Sequence, residues 1–331
     1  MQTNYELQRL NTLALPAKAK VFARFASQME LLGLLDKAKE NNISVYVLGE
    51  GSNVLLANDI DGLVLQSAME GVKLLEQDDA HIWVVVEAGK NWHQWVQESI
   101  EYGHGLENLA LIPGSVGAAP IQNIGAYGVE VKSFIEQIEG VQISTGQAVI
   151  LTAEECNFGY RDSIFKHELK NDFIITRVTF RLNKIFNPVL SYGPLQQLQN
   201  VNASSLIQAV CDTRRSKLPD PKSIPNAGSF FKNPIISAKQ ASELVRLHPE
   251  LPHYQQKGGM VKVAAGWLIE QAGWKGKWLG NVRMHEKQAL VLTTNGQASY
   301  QEVVDLKQCS GALILFEVFF QAEDGIRDDQ R

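Results

Sequence analysis

The stretch GLENLALIPGSVGAAPIQNIGAYG, residues 105–128, decides how this chain is read. Five of its residues are glycine, at Gly105, Gly114, Gly117, Gly125 and Gly128, and Ala118, Ala119 and Ala126 add further small side chains. Backbone built this way can approach a ligand closely, while Ser115, Gln122 and Asn123 offer hydrogen bonds suited to an isoalloxazine edge or a pyrophosphate. A tight glycine and alanine loop packed only against protein is the plain alternative. Five glycines with interleaved amides exceed what a connection requires, so the stretch is taken as a cofactor cradle.

Upstream, GEGSNVL at 49–55 directly follows an apolar strand at 44–48 that reads as buried. Gly49 and Gly51 permit backbone angles closed to other residues, and a turn whose successive N–H groups converge can hold a diphosphate. An ordinary strand-to-strand turn explains this heptapeptide equally well. It opens like G-x-G-x-x-G, but Val54 stands at the third glycine and NDIDG at 58–62 would stop any helix at once, which argues against a Rossmann fold. An amphipathic helix at 29–41 precedes the strand and a second strand follows at 62–66, an αβ unit. Alternating segments at 82–87, 137–143 and 173–182, with one helix at 92–102, give residues 67–185 an α+β character. After a Pro- and Gly-punctuated connection at 187–194 come helices at 204–215 and 238–247 and a strand at 289–293, so a boundary is expected within 186–215.

A length of 331 residues suggests two domains at about 150 residues each. The formal charge of −5 provides no general positive field for a phosphate backbone, which disfavours nucleic acid and requires that anionic ligands be held by local basic groups. Cys156, Cys211 and Cys309 form no CxxC pair, so neither zinc nor a disulfide is assigned. Glu6 and Arg9 interrupt the place of a signal peptide, and no run approaches about eighteen apolar residues. A soluble cytoplasmic protein without a membrane partner is expected, and a monomer.

Two further blocks carry chemistry. In FGYRDSIFK, 158–166, Arg161 adjoins a phenol. A guanidinium stays charged and donates two parallel hydrogen bonds to a planar carboxylate; its bland alternative is a surface ion pair with Asp162 or Glu155. In NAGSFFKNP, 226–234, Ser229 lies between a glycine and two aromatics, with no G-x-S-x-G context for a hydrolytic nucleophile. By itself it could equally be a cap or turn hydroxyl. The basic run at 214–222 reads mainly as a solvated face.

Taken in order, GEGSNVL, the 105–128 stretch, FGYRDSIFK and NAGSFFKNP resemble the UDP-N-acetylenolpyruvoylglucosamine reductase family over about residues 10–307. The resemblance implies an α+β fold with a vanillyl-alcohol-oxidase-like (PCMH-type) FAD-binding region of two subdomains, 1–66 and 67–186, and a C-terminal α+β substrate-binding domain at 187–307. It implies FAD as cofactor, NADPH as hydride donor and UDP-N-acetylglucosamine enolpyruvate as the substrate reduced to UDP-N-acetylmuramate. Gly49, Glu50, Gly51, Ser52, Asn53, Pro113, Gly114, Ser115, Gly117, Asn123 and Gly125 would line the cofactor. Arg161 would stabilise the substrate carboxylate as it takes up enolate charge, and Ser229 would protonate C2, with Lys217 as its cationic neighbour. Tyr192, Lys217, Asn233 and Gln288 would contact the substrate, and no metal is implied. Tyr192 also places the chain in the longer-loop subclass.

The pattern is left after about Lys307. Family members end in a helix and a strand bearing a catalytic glutamate, whereas here QCSGALILFEVFF at 308–320 leads into QAEDGIRDDQR, which resembles a translated sequencing adapter. Residues 308–331 are therefore read as a non-native tail. Glu317 is a doubtful substitute, because the helix before it is short and Phe316 stands where proline is expected. Two rival readings follow: another flavin oxidoreductase of the same fold, or a chain that binds FAD or a UDP-sugar without turnover.

Overall fold

The segment Gln28–Glu40 is helical, α1, because Leu31, Leu35 and Ala38 fall on one face and are buried. Its start is fixed twice: Ser27 Oγ accepts from Glu30 N–H at 3.1 Å, and Glu30 Oε2 accepts from Ala26 N–H at 2.7 Å. The computed structural model of the protein describes residues 1–312. Its other helices are α2 (Trp92–Ser99), α3 (Ala203–Lys217), α4 (Ala238–Leu247), α5 (Ala265–Gln271) and α6 (Tyr300–Ala312).

Two compact units emerge. The first comprises Met1–Glu6, Lys18–Gly51 and Asp59–Ser216. It holds a four-stranded sheet in the order Gln2–Glu6, Lys18–Phe25, Ile60–Ser67, Val45–Val47, antiparallel at the first pair and parallel at the other two. Helix α1 is the crossover between parallel strands, and its apolar face packs with Phe25, Leu63 and Leu65. The strand at Val45–Val47, expected to be buried, instead lies at the sheet edge, with Tyr46 37% and Val47 49% exposed. An apolar run cannot reveal whether one flank or both will be paired.

The second sheet of this unit is five-stranded and antiparallel, ordered Ala148–Thr152, Ile135–Gln142, Phe173–Asn183, His81–Glu87, Val72–Gln77. In its central strand Phe173 and Ile175 face the main core, and beyond a register shift between Ile175 and Arg177 the same face is taken by Val178, Phe180 and Leu182. One extra residue moves the inward set from odd to even positions. Phe180 is flanked by Trp92 and Trp95 of α2, with ring centroids 6.1 and 5.5 Å away. Helix α3 buries Leu206, Ile207, Val210 and Cys211 in that core. This is why the first unit extends to Ser216, beyond the division at 186 that ligand roles suggest.

The second unit comprises Leu7–Ala17, Ser52–Asn58 and, among the described residues, 217–312. Its four-stranded antiparallel sheet runs Asn226–Ser229, Val291–Thr294, Val282–Met284, Trp278–Leu279. Leu13 and Leu15 enter its core beside Val282 and Leu292, and Thr294 Oγ1 donates to the Leu13 carbonyl at 2.8 Å. A three-stranded sheet, Ile235–Ser237, Met260–Val263, His253–Gln255, adjoins α4, whose start carries a reciprocal Ser237–Gln240 capping box.

Candidate active site

In the first unit the turn at Gly49, Glu50 and Gly51 meets the glycine-rich stretch. Glu50 Oε2 accepts from Gly114 N–H at 3.1 Å, and Oε1 accepts from Asn91 Nδ2 at 2.7 Å. Asn91 is itself the N-cap of α2, so the carboxylate links the turn, the helix start and the second loop. A Cβ on Gly49 would come within 3.3 Å of Ser115 Oγ and 3.5 Å of Ala118 Cβ. Gly51 and Gly114 have φ of 64° and 126°, angles that L side chains rarely adopt. Among the described residues the N–H groups of Gly49 and Glu50 meet no acceptor, which leaves adjacent donors of the sort a diphosphate oxygen fits. Gly117 answers to packing: a Cβ there would lie 2.6 Å from Ala88 Cβ.

Asn123 is fully buried with φ of 44°; its Nδ2 donates to the Gly159 carbonyl at 2.9 Å and to Glu130 Oε2 at 3.2 Å, while Oδ1 accepts from Lys132 N–H at 3.1 Å. Its side chain thus braces the loop from inside. Pro113 is exposed and Ser115 buried beside it. Ser52 and Asn53 belong to the Ser52–Asn58 segment that is compact with the second unit, where Leu55 packs on the core.

Arg161 sits in a tight turn with φ of 55° and donates Nη2 to the Gly125 carbonyl at 2.5 Å. Asp162 goes elsewhere, to His167 Nε2 at 2.9 Å, and Glu155 accepts from Thr152 N–H at 2.8 Å, so the alternative of a surface ion pair with either carboxylate does not form. Burial holds the Arg161 pKa below its ordinary value, with Tyr160 and Glu130 acting in the opposite direction. Nearby, Arg214 of α3 is likewise lowered, chiefly by burial; Tyr127 opposes that shift and Arg161 adds to it. Tyr127 meets Tyr192 edge to face at 5.7 Å. Burial raises Tyr127 and Tyr160, against the pull of Arg214 and Arg161 respectively. Both guanidinium groups are partly buried beside tyrosines, a setting in which a planar fork suits an anionic oxygen pair.

In sequence, Arg214 stands within the basic run at 214–222 that reads as a solvated face. The signal was present: Ile207, Val210, Cys211 and Arg214 follow the i, i+3, i+4, i+7 spacing of one helix face. Lys217, the last residue of α3, is exposed and forms no salt bridge among the described residues.

In the second unit Ser229 is exposed at the end of a strand with a register irregularity between Asn226 and Ser229, and the next residue, Phe230, donates its N–H to the Leu290 carbonyl at 2.8 Å. Asn233 Oδ1 accepts from Ala265 N–H at 3.0 Å, at the start of α5. Gln288 Oε1 lies 3.2 Å from where a Cβ on Gly266 would stand, so Asn233 and Gln288 converge on that helix start. Glu317 lies outside the described residues. Among the described residues no group of three or more His, Cys, Asp or Glu could hold a metal ion, and no helix is long and apolar enough to cross a membrane.

Comparison with known proteins gives this geometry a class. Residues 19–154 match the model of an FAD binding domain, and residues 220–310 match that of the UDP-N-acetylenolpyruvoylglucosamine reductase C-terminal domain. The protein is thus an α+β flavoprotein oxidoreductase that uses FAD. The UDP-N-acetylenolpyruvoylglucosamine reductase of Yersinia pestis is 47% identical over 303 residues, covering 91% of this chain and 88% of that protein. The enzyme of that name from Pasteurella multocida is 43% identical over 336 residues and covers 98% of both. The crystal structure of the Thermus caldophilus enzyme shares the fold, with a TM-score of 0.64 at 24% identity over 93% of each chain. The chain belongs to the UDP-N-acetylenolpyruvoylglucosamine reductase family.

Proposed function

We propose an assignment of residues to the reaction of this family, the FAD-dependent reduction of UDP-N-acetylglucosamine enolpyruvate to UDP-N-acetylmuramate by NADPH in peptidoglycan precursor synthesis. Residues 1–66 and 67–186 hold FAD, and 187–307 bind the sugar nucleotide. FAD lies along Gly49, Glu50, Gly51, Ser52 and Asn53 and along Pro113, Gly114, Ser115, Gly117, Asn123 and Gly125. The observation that carries this is the Glu50 bridge between the two glycine-rich loops, with donors of Gly49 and Glu50 left open beside it.

When bound, FAD supplies a two-electron carrier that accepts hydride from NADPH and delivers hydride to C3 of the enolpyruvyl ether. Arg161 grips the substrate carboxylate. Its fork is planar and half-buried, so charge developing on the carboxylate is met in a setting less screened than open solvent. Ser229 gives its hydroxyl proton to C2, which completes the lactyl ether, and Lys217 stabilises the alkoxide left on the serine. Tyr192, Asn233 and Gln288, with Lys217, position the UDP-sugar, and Tyr192 excludes water from the reacting carbons. The protein works as a cytoplasmic monomer.

The test is direct. Purified protein is expected to be yellow and to release FAD and not FMN on denaturation, and, with residues from Gln308 onward replaced by a family-like helix and glutamate-bearing strand, to form UDP-N-acetylmuramate from the enolpyruvyl substrate and NADPH. Colourless, folded protein that takes up no FAD would overturn the cradle.

A further inference from the structure

Leu111 has φ of 58°, a left-handed conformation that a residue with a side chain rarely adopts, two positions before Pro113. Side chains from two helices grip its peptide groups. Leu111 N–H donates to His93 Nδ1 at 3.0 Å, and the Leu111 carbonyl accepts from Arg214 Nε at 3.1 Å. His93 lies in the first turn of α2 and Arg214 in the last turn of α3. On either side, Trp92 Nε1 donates to the Leu109 carbonyl and Trp92 N–H to the Gly114 carbonyl, both at 2.9 Å. Residues 109–114 are therefore tied at four points just where the second loop turns towards Ser115.

We propose that His93 and Arg214 are positioning residues that hold Leu111 in its left-handed conformation and thereby set the Pro113-Gly114-Ser115 limb of the flavin cradle. The inference rests on reading that limb as part of the FAD site.

The grip depends on protonation. Nδ1 must present a lone pair to accept from Leu111 N–H, so neutral His93 alone completes it. Burial disfavours the imidazolium, and Arg215 and Arg214, facing it from α3, add to this, so its pKa lies below the ordinary 6.5. The interaction is complete above that value and is lost as pH falls through the lower folded-state value.

The experiment titrates FAD into the flavin-stripped full chain between about pH 5 and 8, following flavin fluorescence, with circular dichroism checking that each variant is folded. His93→Leu removes the acceptor and is expected to weaken FAD binding about tenfold near neutrality, as is Arg214→Met. His93→Asn keeps an acceptor at the Nδ1 position but does not titrate. It is expected to bind FAD like the wild type at neutral pH and to keep its affinity under acid conditions where the wild type loses it. Gly49→Val, which fills the space beside Ser115 Oγ, tests the cradle itself. If Gly49→Val weakens FAD binding but His93→Leu does not, the positioning role is wrong while the cradle stands. If His93→Asn and His93→Leu are impaired alike, the histidine acts by bulk alone and the proposal also fails. If Gly49→Val leaves affinity unchanged, the reading of the site fails first.

Discussion

Glu50 joins the two glycine-rich loops, with one carboxylate oxygen 3.1 Å from the Gly114 nitrogen and the other 2.7 Å from Asn91 Nδ2. A carboxylate beside a diphosphate would repel it if its charge were free. Here both oxygens are engaged by N–H donors, which turns an electrostatic liability into a link. Glu50→Ala is expected to weaken FAD binding by about 1 kcal/mol, roughly fivefold, because the groups are solvent-accessible and the bonds partly screened. Titration of apoprotein with FAD measures this; unchanged affinity would remove Glu50 from the cradle.

Ser229 is asked to act only when substrate is reduced. Ser229→Ala is expected to let NADPH bleach the flavin at the wild-type rate and to slow reoxidation by the enolpyruvyl substrate by about a hundredfold or more. Rapid-mixing absorbance separates the two half-reactions. A variant slowed in the first and untouched in the second would refute the acid role.

Arg161→Lys keeps the charge but loses the planar fork and, with it, the geometry that reaches the Gly125 carbonyl. Flavin content is expected to stay near wild type while substrate-dependent reoxidation falls about tenfold to a hundredfold. Comparable rates would mean that a point charge suffices and that carboxylate recognition lies elsewhere.

His285 is buried and its Nδ1 accepts from Lys287 N–H at 3.3 Å. Burial, then Arg283, lowers its pKa from 6.5, while Glu286 pulls the other way. A depressed folded-state value contributes stability that is fully present above pH 6.5 and lost as pH falls through the folded value. Thermal melts should therefore show midpoints that fall as pH drops from 6.5 towards that lower value, and His285→Gln should flatten the trend over this window. A variant with the wild-type slope would assign the acid sensitivity to other groups.

Burial raises the Cys156 thiol to about 12, and Cys211 is raised as well, whereas Cys309 is exposed. Since the thiolate is the reactive form, iodoacetamide at mildly alkaline pH is expected to label Cys309 in the native protein and to reach Cys156 only after unfolding. Peptide mass mapping reads the order. Early labelling of Cys156 would show that its surroundings open readily.

What the sequence determined by itself is local. The 31, 35, 38 spacing with Ser27 and Glu30 specifies α1, and the glycine pattern at 105–128 specifies a loop that backbone partners and ligands can approach. Val54 and the NDIDG run were enough to argue against a dinucleotide fingerprint. Burial and strand pairing were decided only in three dimensions. Nothing nearby in sequence marks Val45–Val47 as an edge strand, or Leu7–Ala17 and Ser52–Asn58 as parts of a unit otherwise formed after residue 216. The half-buried guanidinium of Arg214 obeyed helical spacing but was hidden by its charged neighbours, and the left-handed turn at Leu111 had no local signature. It persists because His93 and Arg214, 18 and 103 residues away, satisfy both peptide groups, a constraint that exists only once α2 and α3 have packed on the same core.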